Sequence, residues 1–64
     1  MDIIIYFKDT YQSVEDIKKQ HLMDQLDILF FHRDEFLQIV GKNTIAIVRC
    51  ADVVGIWCKR DDEI

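Results

Sequence analysis

The chain has 64 residues, half of them apolar and 31% charged, with a formal net charge of −4 at neutral pH. That length leaves room for one domain, residues 1–64, and excludes a second core. The balance of apolar and charged residues excludes a disordered chain, no apolar run approaches the ~20 residues of a membrane span, and the acidity opposes non-specific binding to phosphate backbones.

A domain this small sits at the edge of independent stability. Ordering a residue costs about 1.5 kcal/mol, and burial in so small a core returns about as much. A metal, a disulfide, self-association or a partner would help. The N-terminus, Met1-Asp2-Ile3-Ile4-Ile5-Tyr6, carries an acid where a secretory signal carries base, and the expected compartment is the cytosol. There the two cysteines are expected to be reduced or metal-bound.

Ile3–Phe7 reads as a first strand, apolar on both faces and therefore covered from both sides. Lys8-Asp9-Thr10 is a turn. Tyr11–Gln25 is read as a helical turn or short helix capped by Ser13, with Glu15 and Asp16 in its first turn and a strand as the competing reading. Leu26–Phe31 has strong strand propensity and is predicted to be a strand, with Phe30 and Phe31 on opposite faces. Phe36–Val40 is predicted as a strand closed by a Gly41-Lys42-Asn43 hairpin loop, a reading preferred to a helix over 33–41.

The β-branched stretch Thr44–Cys58, broken at Ala51-Asp52, reads as two adjacent strands around which the rest is organised. Residues 59–64 are read as a polar tail. The predicted fold class is α+β and β-rich, with a four- or five-stranded, mostly antiparallel sheet and at most one or two short helices.

Residues able to carry chemistry are few. Gly41 and Gly55 lie far apart, so there is no phosphate loop. A cysteine nucleophile would need His21 or His32 as base, and no local signature brings them together. No enzymatic role is expected. Cys50, Cys58, His21 and His32 match the stoichiometry of a closed zinc site, and zinc is the candidate cofactor. Their spacings, C-x7-C and H-x10-H, match no finger pattern. The preferred reading is no metal, with two core cysteines, a partly exposed His32 near Asp34 and a surface His21. Trp57 is read as a core plug, with an interface anchor as the competing reading.

Two resemblances follow from these residues. Ile45–Ile56, a strand ending in Arg49, a corner and a second strand, resembles the second signature of Sm-like RNA-binding barrels, with Cys50 where that family has glycine. It implies a small self-associating barrel that binds RNA or single-stranded DNA. The opening Ile3–Asp9 and the closing Asp52–Ile56 also resemble small acidic proteins of phages and prophages of Gram-positive bacteria, among them anti-CRISPR inhibitors of type II effector nucleases. That second resemblance implies a non-enzymatic inhibitor that binds an RNA-guided nuclease and blocks nucleic-acid loading. The inhibitor is the preferred expectation. Its partner is a protein with a basic surface, homo-oligomers are allowed, and neither membrane nor direct nucleic-acid binding is expected. The contacts are assigned to Glu15, Asp16, Asp24, Asp27, Asp34 and Glu35.

Overall fold

The computed structural model describes residues 1–59. The Ile-rich opening forms β1 (Asp2–Tyr6), the centre of a three-stranded antiparallel sheet. On one side it pairs with β2 (Tyr11–Val14), with Ile3 opposite Val14 and Tyr6 opposite Tyr11. On the other it pairs with β5 (Gly55–Lys59), with Asp2 opposite Lys59 and Ile5 opposite Ile56. The predicted turn closes with the Phe7 N–H donating to the Thr10 carbonyl at 2.8 Å. Past the end of β2, Met1 and Ile17 exchange two hydrogen bonds, the Met1 amine to the Ile17 carbonyl at 3.0 Å and the Ile17 N–H to the Met1 carbonyl at 2.8 Å.

The helix lies elsewhere than predicted. Ser13 belongs to β2, and the helix α1 runs Lys19–Phe31. Between them Asp16 takes φ 57°, the left-handed region, and reverses the chain. Leu26–Phe31 is therefore the C-terminal half of α1 and not a strand. The reason is a longer period than the local one. Leu22, Leu26 and Leu29 recur at i, i+4 and i+7, and that seam faces the core, with Leu22 and Leu29 buried. The usual end signals are missing. Lys18 at the N-cap makes no side-chain cap, no acid lies in the first turn and no base in the last. Tertiary packing, more than propensity, holds this helix.

β3 (Phe36–Val40) and β4 (Ile45–Arg49) form the predicted hairpin as a separate two-stranded sheet. Its turn closes with the Gly41 N–H donating to the Thr44 carbonyl at 2.7 Å, and the Lys42 N–H reaches the Glu15 carbonyl at 2.9 Å. The turn thus seats on the end of β2. Glycine is required there for space: a Cβ at Gly41 would stand 2.5 Å from the Glu15 oxygen and 2.6 Å from Val14 Cγ1.

The last two strands were expected side by side and are not. β4 pairs with β3, and β5 pairs with β1. The corner between them is a 3-10 turn, Cys50–Asp52, which carries the chain from one sheet to the other. It is held by the Cys50 N–H on the Glu35 carbonyl at 3.0 Å and the Val54 N–H on the Tyr6 carbonyl at 2.9 Å. The class is α+β and strand-rich, with one helix and five antiparallel strands in sheets of three and two among the described residues. Lys59 is part of β5, opposite Asp2, so the tail does not begin there. The remainder of the predicted tail lies outside the described residues.

The core sits between the inner faces of the two sheets and the leucine seam of α1. Ile3, Ile5, Leu37, Ile39 and Cys50 are its most buried members.

Candidate interaction surface

The register that buries Ile3 and Ile5 turns Ile4 and Tyr6 to the other face of β1. Residues directly opposite share a face, so Tyr11 and Gly55 flank Tyr6, and Ser13 and Trp57 flank Ile4. The result is an aromatic outer face on which Tyr6 is 40% exposed, Tyr11 64% and Trp57 53%. The Tyr6 and Tyr11 rings lie 6.3 Å apart at 51°. Trp57 is therefore not the core plug that was expected, and pairing with Ile4 is the cause. Gly55 offers no side chain opposite Tyr6, and a Cβ there would meet nothing within 4 Å.

The hairpin sheet has an apolar outer face of its own. Phe36, Val40, Ile45 and Ile47 all lie on it and are exposed, together with Gln38 and Arg49. Its two edges differ. Along β3 the Gln38 N–H donates to Gln25 Oε1 and the Val40 N–H to His21 Nε2, each at 3.0 Å, so two residues one turn apart on α1 cover that edge. The outer edge of β4 has no strand beside it among the described residues. At the end of α1, Phe30 and Phe31 are both exposed, at 70% and 77%, and do not divide between two faces as a strand would have placed them.

All six acids assigned to partner contacts are exposed. Glu15 and Asp16 lie in the loop before α1, Asp24 and Asp27 on the helix, and Asp34 and Glu35 in the loop after it. Gln20 Nε2 donates to Asp24 Oδ1 at 3.0 Å. Glu35 stands 3.6 Å from His32 Nδ1.

The four candidate zinc ligands fall in different surroundings. Cys50 is fully buried and Cys58 is exposed on β5. His21 is occupied at the β3 edge, and His32 ends α1 beside Glu35. Among the described residues no three His, Cys, Asp or Glu side chains converge as metal ligands would. The reading of both cysteines as core residues holds for Cys50 alone. Burial pushes the Cys50 thiol above its ordinary value. Arg33 opposes the rise, and Glu35 and Asp34 add to it. A group so placed is a poor nucleophile.

Among the described residues, two of the clefts bear on these side chains. One, of about 370 Å³, runs between α1 and β5 on the face opposite Trp57 and is lined by Leu26, Phe30, Val54, Ile56 and Cys58 among others. The other, of about 610 Å³, is lined by Asp16, Lys18, His21, Val40, Gly41 and Lys42. No helix among the described residues is long and apolar enough to cross a membrane. No family model matches the chain, and no curated protein or solved structure matches it significantly.

The aromatic face was missed from the sequence, although its signal was present. A run of three isoleucines has only two faces to offer. Once Ile3 and Ile5 go inward, whatever pairs with Ile4 and Tyr6 must face out.

Proposed function

We propose that this chain is a non-enzymatic inhibitor that works in the cytosol by covering a surface of a protein partner. The observation that carries the reading is the amount of apolar surface left open. Eleven large hydrophobic side chains, from Tyr6 to Trp57, are at least 40% exposed among the described residues. Exposed apolar surface on this scale marks an interaction site, and tyrosine and tryptophan are the residues on which binding energy concentrates.

The acids select the partner. A chain of net charge −4, with Glu15, Asp16, Asp24, Asp27, Asp34 and Glu35 all exposed, complements a basic surface. The partner we propose is an RNA-guided effector nuclease, whose nucleic-acid channel is basic, in line with the resemblance to anti-CRISPR proteins. Occupying that channel would keep guide RNA or DNA out.

The test is DNA cleavage by a purified type II effector, with this protein added before or after the guide RNA. Cleavage should fall when the protein is added first. Full cleavage in the presence of excess protein would end the proposal.

One observation supports the second reading, a small self-associating barrel for RNA or single-stranded DNA. The strand ending in Arg49, the corner and the following strand are realised as β4, the 3-10 turn and β5. A mobility shift with mixed oligonucleotides at low salt would favour it.

A further inference from the structure

We propose that the outer face of the β2–β1–β5 sheet is a docking site for an arginine-rich segment of a protein partner, its guanidinium groups stacking on Tyr6, Tyr11 and Trp57. The inference rests on the reading above that the partner is basic, and names where and how that basic surface is held.

The argument begins with geometry. Tyr11 lies directly opposite Tyr6 across β2 and β1. Trp57 is the diagonal neighbour of Tyr6 on β5, since Tyr6 pairs with Gly55 two residues before it. Diagonal neighbours on one sheet face are about 7–8 Å apart, within reach of aromatic side chains. The three rings therefore make one strip across all three strands. Gly55 leaves the ground beside Tyr6 open, so a planar group can lie against that ring from the β5 side.

Charge then selects the occupant. Asp2 is on this same face, one step along β1 from Ile4. Its Oδ1 accepts the Asp16 N–H at 3.0 Å, which brings the Glu15–Asp16 loop to that end of the strip. Asp9 lies in the β1–β2 turn at the other end. Lys8 in the turn and Lys59 opposite Asp2 stand at the same two ends, Lys18 and Lys42 share a cleft with Asp16, and the chain as a whole carries a net charge of −4. An aromatic floor on a chain of net charge −4 attracts cations and repels phosphate. Of the cationic side chains, arginine fits best, because its guanidinium is planar, weakly hydrated and able to stack and pair with a carboxylate at once. Single-stranded nucleic acid would stack on the same rings, but it would bring its phosphates against Asp2, Asp9 and the net negative charge of the chain.

The experiment titrates the purified protein with an octa-arginine peptide at low salt and follows the emission of Trp57, the only tryptophan in the chain. Saturable change in Trp57 emission is expected, weaker with octa-lysine of the same charge. Replacing both tyrosines, Tyr6→Leu with Tyr11→Leu, should weaken octa-arginine about tenfold. The single change Tyr11→Ser, at a side chain 64% exposed, gives a smaller loss in a chain whose fold it does not threaten.

Equal affinity in the tyrosine variants would overturn the site, because general charge attraction would then explain the binding. So would a response of Trp57 to oligothymidylate and none to octa-arginine. The nuclease assay separates this site from the function it rests on. Inhibition that survives the tyrosine changes but is lost on reversing the acids of α1 overturns the site and keeps the inhibitor. Octa-arginine binding at Trp57 with no inhibition of any effector overturns the inhibitor and keeps the site.

Discussion

Asp16 holds its backbone at φ 57° and presents its N–H to Asp2, so its main chain does the work and its side chain is exposed. A residue with a Cβ is strained in that region, a β-branched one most of all. Asp16→Val should destabilise by about 1–2 kcal/mol, while Asp16→Gly should be neutral or slightly stabilising, both read from urea unfolding. Gly41 is the converse case, required for space. Gly41→Ala should cost about 1–3 kcal/mol through the contacts with Glu15 and Val14, and Gly55→Ala almost nothing. Cys50 supplies the pH dependence. Its folded thiol titrates above its unfolded value, so the folded state holds the extra proton. Its contribution is full below the unfolded value of about 8.5 and is lost as pH rises through the folded one. The urea midpoint should therefore fall more steeply above about pH 8.5 in the parent than in Cys50→Ala. With a thiol reagent at neutral pH, exposed Cys58 should react in the native state and Cys50 only on unfolding.

At the scale of elements, the seam between α1 and β3 is the least expected contact. Two side chains one turn apart, His21 and Gln25, hold two N–H groups two residues apart on a strand edge. This matching of helical and strand periods depends on tertiary placement, and no local pattern announces it. It also requires an unprotonated Nε2 on His21. His21→Ala should cost about 0.5–1.5 kcal/mol and speed hydrogen exchange at the Val40 amide. The hairpin of β3 and β4 was legible because Gly41-Lys42-Asn43 is a local signal and the strands around it are adjacent in sequence. The helix was misread because Leu-Asp-Ile-Leu-Phe-Phe has strand propensity in isolation. Only the full leucine spacing from Leu22 to Leu29 exposes the longer period, and the missing caps removed the signals that would have set its ends. The β4 edge carries Ile45 and Ile47 without a neighbouring strand among the described residues, which is the kind of edge that invites pairing between copies. Ile47→Lys should leave stability within about 0.5 kcal/mol and lower any concentration-dependent association seen by sedimentation.

For the molecule as a whole, class and strand content could be read from composition and pattern, whereas the division into two sheets could not. Which strands share a sheet was decided by the 3-10 turn at Cys50–Asp52, three residues that read only as a small polar corner. The candidate surface was half legible. The six acids are exposed, although Glu15 and Asp16 lie in a loop and not in a first helical turn and Asp27 lies on a helix and not on a strand, and the aromatic strip needed the register of β1 against β5. The acids act collectively, and changing Asp24, Asp27, Asp34 and Glu35 to lysine should weaken partner binding and flatten its dependence on salt. Unchanged binding in that variant would assign recognition to the apolar faces alone.

β1 has two partners of very different distance along the chain. β2 follows it across a short turn, while β5 is the last of the described strands. A nascent chain leaving the ribosome can therefore zip β1 to β2 at once, but it must carry the other side of β1 unpaired until α1, the hairpin and the 3-10 turn have been translated. Local pairing comes early and the distant closure late, so throughout synthesis the apolar opening strand is an open template for the wrong neighbour. The lag between those two events, more than the final stability, should set how much of the protein a cell recovers in folded form.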